Sequence, residues 1–315
     1  MFTQRILLLL MACCTFSSAY TQNNWCGAVQ AKQDIINQSP ELKIPIQQME
    51  AYLNALDVTH LEKTRAGNYI IPIVFHIIHN YGPENIGDDQ VRDAVRILNE
   101  EYQKRNADTI DVIPIFKPLI ANVGFEFRLA NKDPEGNCTN GIDRIHSYKT
   151  YLGGNQSKFN SWNRSHYFNV WVVNTLAGDA GLLAFALPPA AAHYAFYWDG
   201  VIAEYNAVGS IGAAYVPWAS TLTHEIGHCM NLSHLWGNTN DPLVACGDDG
   251  VQDTPETKGH NTCTNADLAD DFCNPGTIEN VQNYMEYSFC DHMFTLGQKD
   301  RMIAAITSPT AQRNS

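Results

Sequence analysis

Apolar residues along this chain follow two rhythms, and the switches between them mark out its elements. Tyr69 to His79, YIIPIVFHIIH, is dense in β-branched and aromatic residues and predicts a central strand, although Pro72 sits awkwardly near its start. Val123 to Ala130 alternates as a strand, and Gly141 to Tyr148 predicts another after the Asp133–Asn137 turn. Phe168 to Asn174, FNVWVVN, is a strong strand, and Gly200 to Glu204 a weaker one. Between these two, Ala177 to Pro189 is rich in Gly and Ala, which suits a close-packed strand or loop at a cleft edge. Helical spacing takes over from Gly87 to Asn106, where Val91, Ala94, Val95, Leu98 and Tyr102 share a face and Asp88 or Asp89 can cap the start. Leu42, Ile46, Met49, Leu53 and Leu56 form a shorter amphipathic stretch, and Gln298 to Ile306 predicts a closing helix. Strands interleaved with one long helix indicate an α/β or α+β N-terminal half. From Gly237 to Pro275 the pattern dissolves into Gly, Asn, Asp and Cys, a loop too long to be idle in a compact domain.

Between the two regimes lies His224-Glu225-Ile226-Gly227-His228, followed by His234. Residues four apart share a helix face, so His224 and His228 can point imidazole nitrogens at one ion. Glu225 lies about 100° round the helix from His224, beside the metal position, where it suits a general base acting on a metal-bound water. His234 falls roughly 240° beyond His228, so one straight helix cannot deliver all three. Asn231 supplies the break, because asparagine tolerates the left-handed conformation that ends helices. Three histidines and one open position are the ligand set of a catalytic zinc site. His76 and His79, three apart on a strand, face opposite sides and are read as structural.

Composition narrows the choice of function. Of 315 residues 33 are acidic and 20 basic, for a formal charge of −13, which argues against a nucleic-acid partner. Hydrophobic content of 45% and 14 prolines fit a globular protein with a sizeable core. The Gly247–Pro255 segment, with Asp248, Asp249, Asp253 and Thr254, has the clustered oxygens that calcium wants. Arg5, an apolar run from Ile6 to Ala12 and small residues up to Ala19 read as an export signal far short of the ~20 residues that span a bilayer. Acylation at Cys13, as in a lipoprotein signal, is the less favoured alternative to plain secretion. In an exported protein Cys246, Cys263, Cys273 and Cys290 would form disulfides, and four cysteines allow three pairings. The segment from Tyr20 to about Arg65 is polar, and the Thr64-Arg65-Ala66-Gly67 stretch after it reads as an exposed linker with a basic cleavage point, as a pro-segment would need. Cys26 can place a thiolate on the zinc to hold the enzyme latent, or can be a lone thiol lost with that segment; acids such as Asp34 are equally able ligands.

The extended zinc motif, His234-Leu235-Trp236-Gly237, the DGVQDTP and NYMEY segments and Met293 to Gln298 together resemble the pappalysin branch of the metzincin zinc proteases, the ulilysin-like enzymes. The resemblance covers nearly all of the chain from Tyr69 onward. It implies a metzincin (zincin) fold of the α+β class: a mixed twisted sheet, a long helix, the HExxH active-site helix and an irregular, disulfide-stapled C-terminal subdomain. It implies Met285 as the Met-turn residue under the zinc, Tyr287 as a tyrosine able to approach the tetrahedral intermediate, and the disulfides Cys246–Cys273 and Cys263–Cys290. It further implies bound calcium and autolytic loss of a pro-segment. Two residues depart from the family pattern: Asn231 stands where most metzincins have glycine, and Phe289 precedes Cys290 where an acid would favour arginine after the scissile bond.

The expected organisation is a signal over 1–19, a pro-segment over 20–65 and a catalytic domain over 66–315, its subdomains meeting between 231 and 232. The expected activity is that of a secreted zinc metalloendopeptidase acting on proteins or peptides, monomeric, with one catalytic zinc and calcium as a structural ion. Rival readings are a zinc protease with Glu256 as third ligand, a secreted binding module with a structural metal, and a calcium-dependent adhesin, which lacks any repeat to support it.

Overall fold

The computed structural model describes residues 25–56, 68–178, 181–237 and 241–308. The expected signal, including Cys13, and the linker around Arg65 lie outside them. Strand β1 (Tyr69–His79) is the centre of a six-stranded sheet ordered β2-β1-β4-β6-β5. One flank of β1 is shared, pairing with β2 (Phe125–Leu129) along its first half and with β3 (Ile142–His146) along its second. Its other flank carries β4 (Phe168–Val173), and β6 (Val201–Glu204) follows, all parallel. Only β5 (Ala184–Ala186) runs antiparallel, as the edge strand beside β6. Pro72 is accommodated in β1 opposite Arg128. The sheet is mixed, as expected.

The period of two along each strand sorts side chains onto two faces. Ile73, Phe75 and Ile77 of β1, Val170 and Val172 of β4, and Val201 and Ala203 of β6 join one core. There they meet helix α3 (Asp88–Tyr102) through Val91, Ala94, Leu98 and Tyr102. The opposite face offers Ile78, Trp171, Val173, Phe185, Leu187 and Ile202. This second core is closed by the N-terminal helices α1 (Ala28–Gln38) and α2 (Lys43–Asn54), which bury Ile35, Ile46, Met49 and Leu53, together with α4 (Pro189–Ala192).

Helix α3 begins differently from expectation. Gly87 is its N-cap residue with no side-chain cap, while Asp88 pairs with Arg144 at 2.7 Å and Asp89 with Arg92 at 2.8 Å. Both acids still favour the first turn through the helix dipole. The two disulfides join Cys246 to Cys273 and Cys263 to Cys290, interlaced along the irregular segment, and each spans 27 positions. Closing such a loop stabilises the folded chain by about 3–4 kcal/mol on the chain-entropy account. Cys138 is exposed and Cys229 buried, and neither joins a disulfide.

Candidate active site

Helix α5 (Thr221–Cys229) is buried along its whole length and packs against β5 and β6 at the sheet edge. Helix α3 fixes its start: Glu101 accepts from the hydroxyls of Ser220 and Thr223, and the Tyr102 hydroxyl donates to the Thr223 carbonyl at 3.0 Å. Burial pushes the Glu101 carboxyl up to about 7 despite those donors. The far end closes at Asn231, whose φ of 73° is left-handed as the sequence predicts. The Leu232 amide returns to the Gly227 carbonyl at 2.9 Å and the Asn231 amide to that of His228 at 3.1 Å, a Schellman arrangement. The turn then swings His234 back over the helix.

The three imidazoles converge. His228 Nε2 lies 3.1 Å from His224 Nε2 and 3.1 Å from His234 Nε2. On their outer sides, His224 Nδ1 faces the Tyr284 carbonyl at 2.6 Å and His228 Nδ1 the Leu232 carbonyl at 2.8 Å. A carbonyl can only accept, so each Nδ1 carries the proton and each Nε2 presents a bare lone pair. Two lone pairs at 3.1 Å do not hydrogen-bond to each other; a cation between them resolves the contact, with the carbonyls holding the ligand tautomers. Burial depresses all three imidazoles, His228 to about 4, so they are neutral. His234 is further set by Trp236, stacked on it at 4.4 Å and 5°.

Around this centre stand the other expected residues. Glu225 is buried, and among the described residues no partner meets hydrogen-bond geometry with either of its oxygens. Burial pushes its carboxyl up to about 8, opposed by the Cys26 thiol, Lys158 and the Ala186 amide. Met285 is buried beneath Gly227, and its own amide donates to Asn283 Oδ1 at 2.9 Å. The Tyr287 ring lies 5.0 Å from that of His234. A β-carbon on Gly227 would meet Met285 Sδ at 2.6 Å. Gly227→Ala is therefore expected to lower unfolding free energy by about 1–3 kcal/mol through overpacking, read by denaturant titration. An unchanged midpoint would show that Met285 yields freely.

Cys26 joins the cluster, its Sγ and the three imidazole nitrogens all lying within 4.8 Å of one another. Backbone pairing places it there: the Leu183 amide donates to the Trp25 carbonyl at 2.8 Å and the Gly27 amide to the Ala184 carbonyl at 3.0 Å. The Tyr287 hydroxyl donates to the Cys26 carbonyl at 3.3 Å, and Trp25 packs 4.4 Å from His224. Asp34 instead accepts from Gln30 on the surface of α1. Glu256 is exposed, and His234 occupies the place that the rival reading gave it. His76 is held by Asp143 and Asn169 inside the sheet, and no metal-capable group among the described residues includes it or His79. Of the four calcium candidates, Asp249 and Thr254 are bonded to each other while Asp248 and Asp253 turn to other partners. Asp253 accepts from Thr295 and Gly297 at the start of α6 (Leu296–Thr307), Asp248 accepts from the Gly250 amide, and Asp249 accepts from Val251 and Thr254.

Lys158 belongs to no motif in the sequence. It is buried, donates to the Trp198 carbonyl at 2.7 Å and lies over the Phe185 ring, and burial brings its ammonium down to about 8.

A promirolysin mutant from Tannerella forsythia is 31% identical to this chain and superposes with a TM-score of 0.79, over 91% of this chain and 95% of that one. The chain belongs to the pappalysin family. The family profile described as pregnancy-associated plasma protein-A matches residues 153–307, a span that contains the histidine motif and Met285. Mature mirolysin in complex with a cleaved peptide, also from Tannerella forsythia, is 34% identical, with a TM-score of 0.72 over 79% of this chain and 95% of that one. An extracellular metalloprotease of Arthroderma benhamiae is 26% identical over 307 residues, spanning 95% of this chain and 89% of the relative. This pappalysin is thus a metalloendopeptidase of metzincin fold acting on peptide bonds. No helix among the described residues is long and apolar enough to cross a membrane.

Proposed function

We propose that the chain is a secreted zinc endopeptidase made as a precursor, with His224, His228 and His234 as metal ligands and Glu225 as general base. The observation that carries this reading is the convergence of three buried imidazole nitrogens on one point, with the Nδ1 protons of His224 and His228 directed away to carbonyls. Three neutral imidazoles suit zinc, which supplies Lewis-acid polarisation of the scissile carbonyl and brings the pKa of water toward ~7. Glu225 then takes a proton from the attacking water and returns it to the leaving amine. Tyr287, once released from Cys26, donates to the oxyanion as it forms. The open edge of β5 aligns an extended peptide by main-chain hydrogen bonds.

In the precursor these groups are occupied. Trp25 to Gly27 takes the β5 edge, Cys26 offers the fourth ligand and Tyr287 is tied to its carbonyl. Residues 20–65 serve as the pro-segment, 1–19 as its export signal and 66–315 as the catalytic domain, acting as a monomer on proteins or peptides. The relatives named extracellular favour plain secretion, and nothing in them supports lipid anchoring at Cys13. A calcium ion in the Gly247–Pro255 loop would use the buried, unpartnered Oδ2 of Asp249, in competition with Arg301, which donates to the Asp249 carbonyl at 2.6 Å.

The test is His234→Gln in the mature enzyme. Zinc affinity is expected to fall by more than the ~10–100-fold that losing a residue supporting a ligand costs, read by competition with a chromogenic chelator. Zinc held with undiminished affinity would remove His234 from the ligand set and the assignment with it.

A further inference from the structure

A second constellation of metal-ligating groups lies in the irregular C-terminal segment, apart from the three catalytic histidines. His260 is buried, with Nε2 3.2 Å from Asp270 Oδ2 and 3.6 Å from Glu279 Oε2. The three ligand atoms lie within 4.8 Å of one another. Ligands on a tetrahedral ion with bonds near 2.0 Å stand about 3.3 Å apart, so the spacing already approaches that of a filled site. Glu279 is fixed by the Thr257 hydroxyl, which donates to Oε2 itself, and by the Cys273 amide, which donates to Oε1 at 3.0 Å. The Glu279 amide in turn donates to the Asp270 carbonyl at 2.8 Å.

The other side of the imidazole supplies the independent observation. His260 Nδ1 and Glu286 Oε1 are both buried with no hydrogen-bond partner among the described residues, and they face each other at 3.7 Å. Glu286 is only 1% exposed, and its second oxygen accepts from the His260 amide at 2.9 Å. A carboxylate behind the non-ligating nitrogen is how metal-bound histidines are oriented.

Charge points the same way. Asp270, Glu279 and Glu286 surround His260, and one lysine, Lys258, reaches the group through Asp270, its Nζ 3.0 Å from Oδ2. With His260 as an imidazolium and all three carboxyls ionised, one negative charge stays unbalanced in a mostly buried pocket, which is costly, and burial correspondingly raises the pKa of the Glu286 carboxyl. A divalent cation beside a neutral imidazole balances it. Calcium prefers six to eight oxygens, whereas one imidazole with two carboxylates suits a transition ion.

We propose that His260 Nε2, Asp270 Oδ2 and Glu279 Oε2 form a second, structural site for a divalent transition metal, zinc above all, with Glu286 orienting the histidine. The ion ties the 257–260 loop and the disulfide-linked stretch around Cys273 to the Met285–Tyr287 segment under the catalytic centre.

The experiment counts metal in the full-length Glu225→Ala chain, which cannot process itself, by mass spectrometry after exhaustive dialysis against zinc-free buffer. Two zinc ions per chain are expected, falling to one with added Asp270→Asn or His260→Gln and to one with added His228→Gln. A crystal at the zinc absorption edge is expected to show a second anomalous peak beside His260 Nε2, which keeps the proposal testable should those variants misfold. One zinc per chain, all of it lost with His228→Gln, overturns the second site and leaves His260 an imidazolium. Calcium in place of zinc, lost with Asp270→Asn, overturns the nitrogen-ligated class. The His228→Gln arm reports on the catalytic centre separately, so failure of one site is not mistaken for failure of the other.

Discussion

Glu225→Ala lowers kcat/KM for a peptide substrate by about 100- to 10,000-fold, the contribution of a positioned general base, while zinc per chain stays unchanged. The separation follows from geometry. The three imidazoles are oriented by the carbonyls of Tyr284 and Leu232 and by the Trp236 ring, and none of these contacts involves Glu225. Its carboxyl is turned toward the Cys26 thiol and the Ala186 amide and not toward the atoms that orient the imidazoles, so its removal leaves the histidines in place. The loss is therefore expected in kcat, with KM little changed. Comparison of peptide cleavage with metal content on one preparation decides it. Retained cleavage would sink the base assignment, and lost zinc would mean that Glu225 holds the site together.

Cys26→Ser is expected to speed maturation of the precursor by about tenfold or more, the effect of some 1.4 kcal/mol of lost ligation. Serine offers zinc a hydroxyl in place of a thiolate, a far poorer ligand at neutral pH. Burial and the nearby Glu225 raise the pKa of the Cys26 thiol in the metal-free protein, so its ionisation depends on the cation that it meets. The rest of the segment stays put, because the β5 pairing and the helix contacts do not use the sulfur. Gel analysis of the purified precursor over time measures the rate. Equal rates for the two proteins would show that the backbone plug alone enforces latency.

What the sequence disclosed depended on the distance over which each signal acts. Strands β1, β4 and β6 and helices α3, α5 and α6 were legible because periodicity is local, and the left-handed turn at Asn231 because asparagine has few rivals there. Helix α1 passed unmarked because its buried face is Ala28, Ala31 and Ile35, too small a stripe to stand out. The Asp88 cap failed because a side chain from another strand, Arg144, takes the carboxylate. The disulfide partners came from the family resemblance, since spacing alone allows three pairings. Composition alone marked the calcium loop: its acids point to different amides and hydroxyls, and direction is invisible in a string of letters. Cys26 could be singled out but not placed, because the pairing that brings it to the histidines joins residues far apart in sequence. The same holds for His260, Asp270, Glu279 and Glu286, which share no periodicity.

Ile35, Ile46, Met49 and Leu53 lie against Trp171, Phe185 and Ile202 on the underside of the sheet. A cut beyond α2 severs one covalent bond and none of those contacts. The excised piece is then a tethered plug turned free inhibitor, and its escape wets an oily floor that the uncut protein keeps dry. Activation is thereby a dissociation as well as a hydrolysis, sensitive to dilution and to whatever digests the fragment once it lets go.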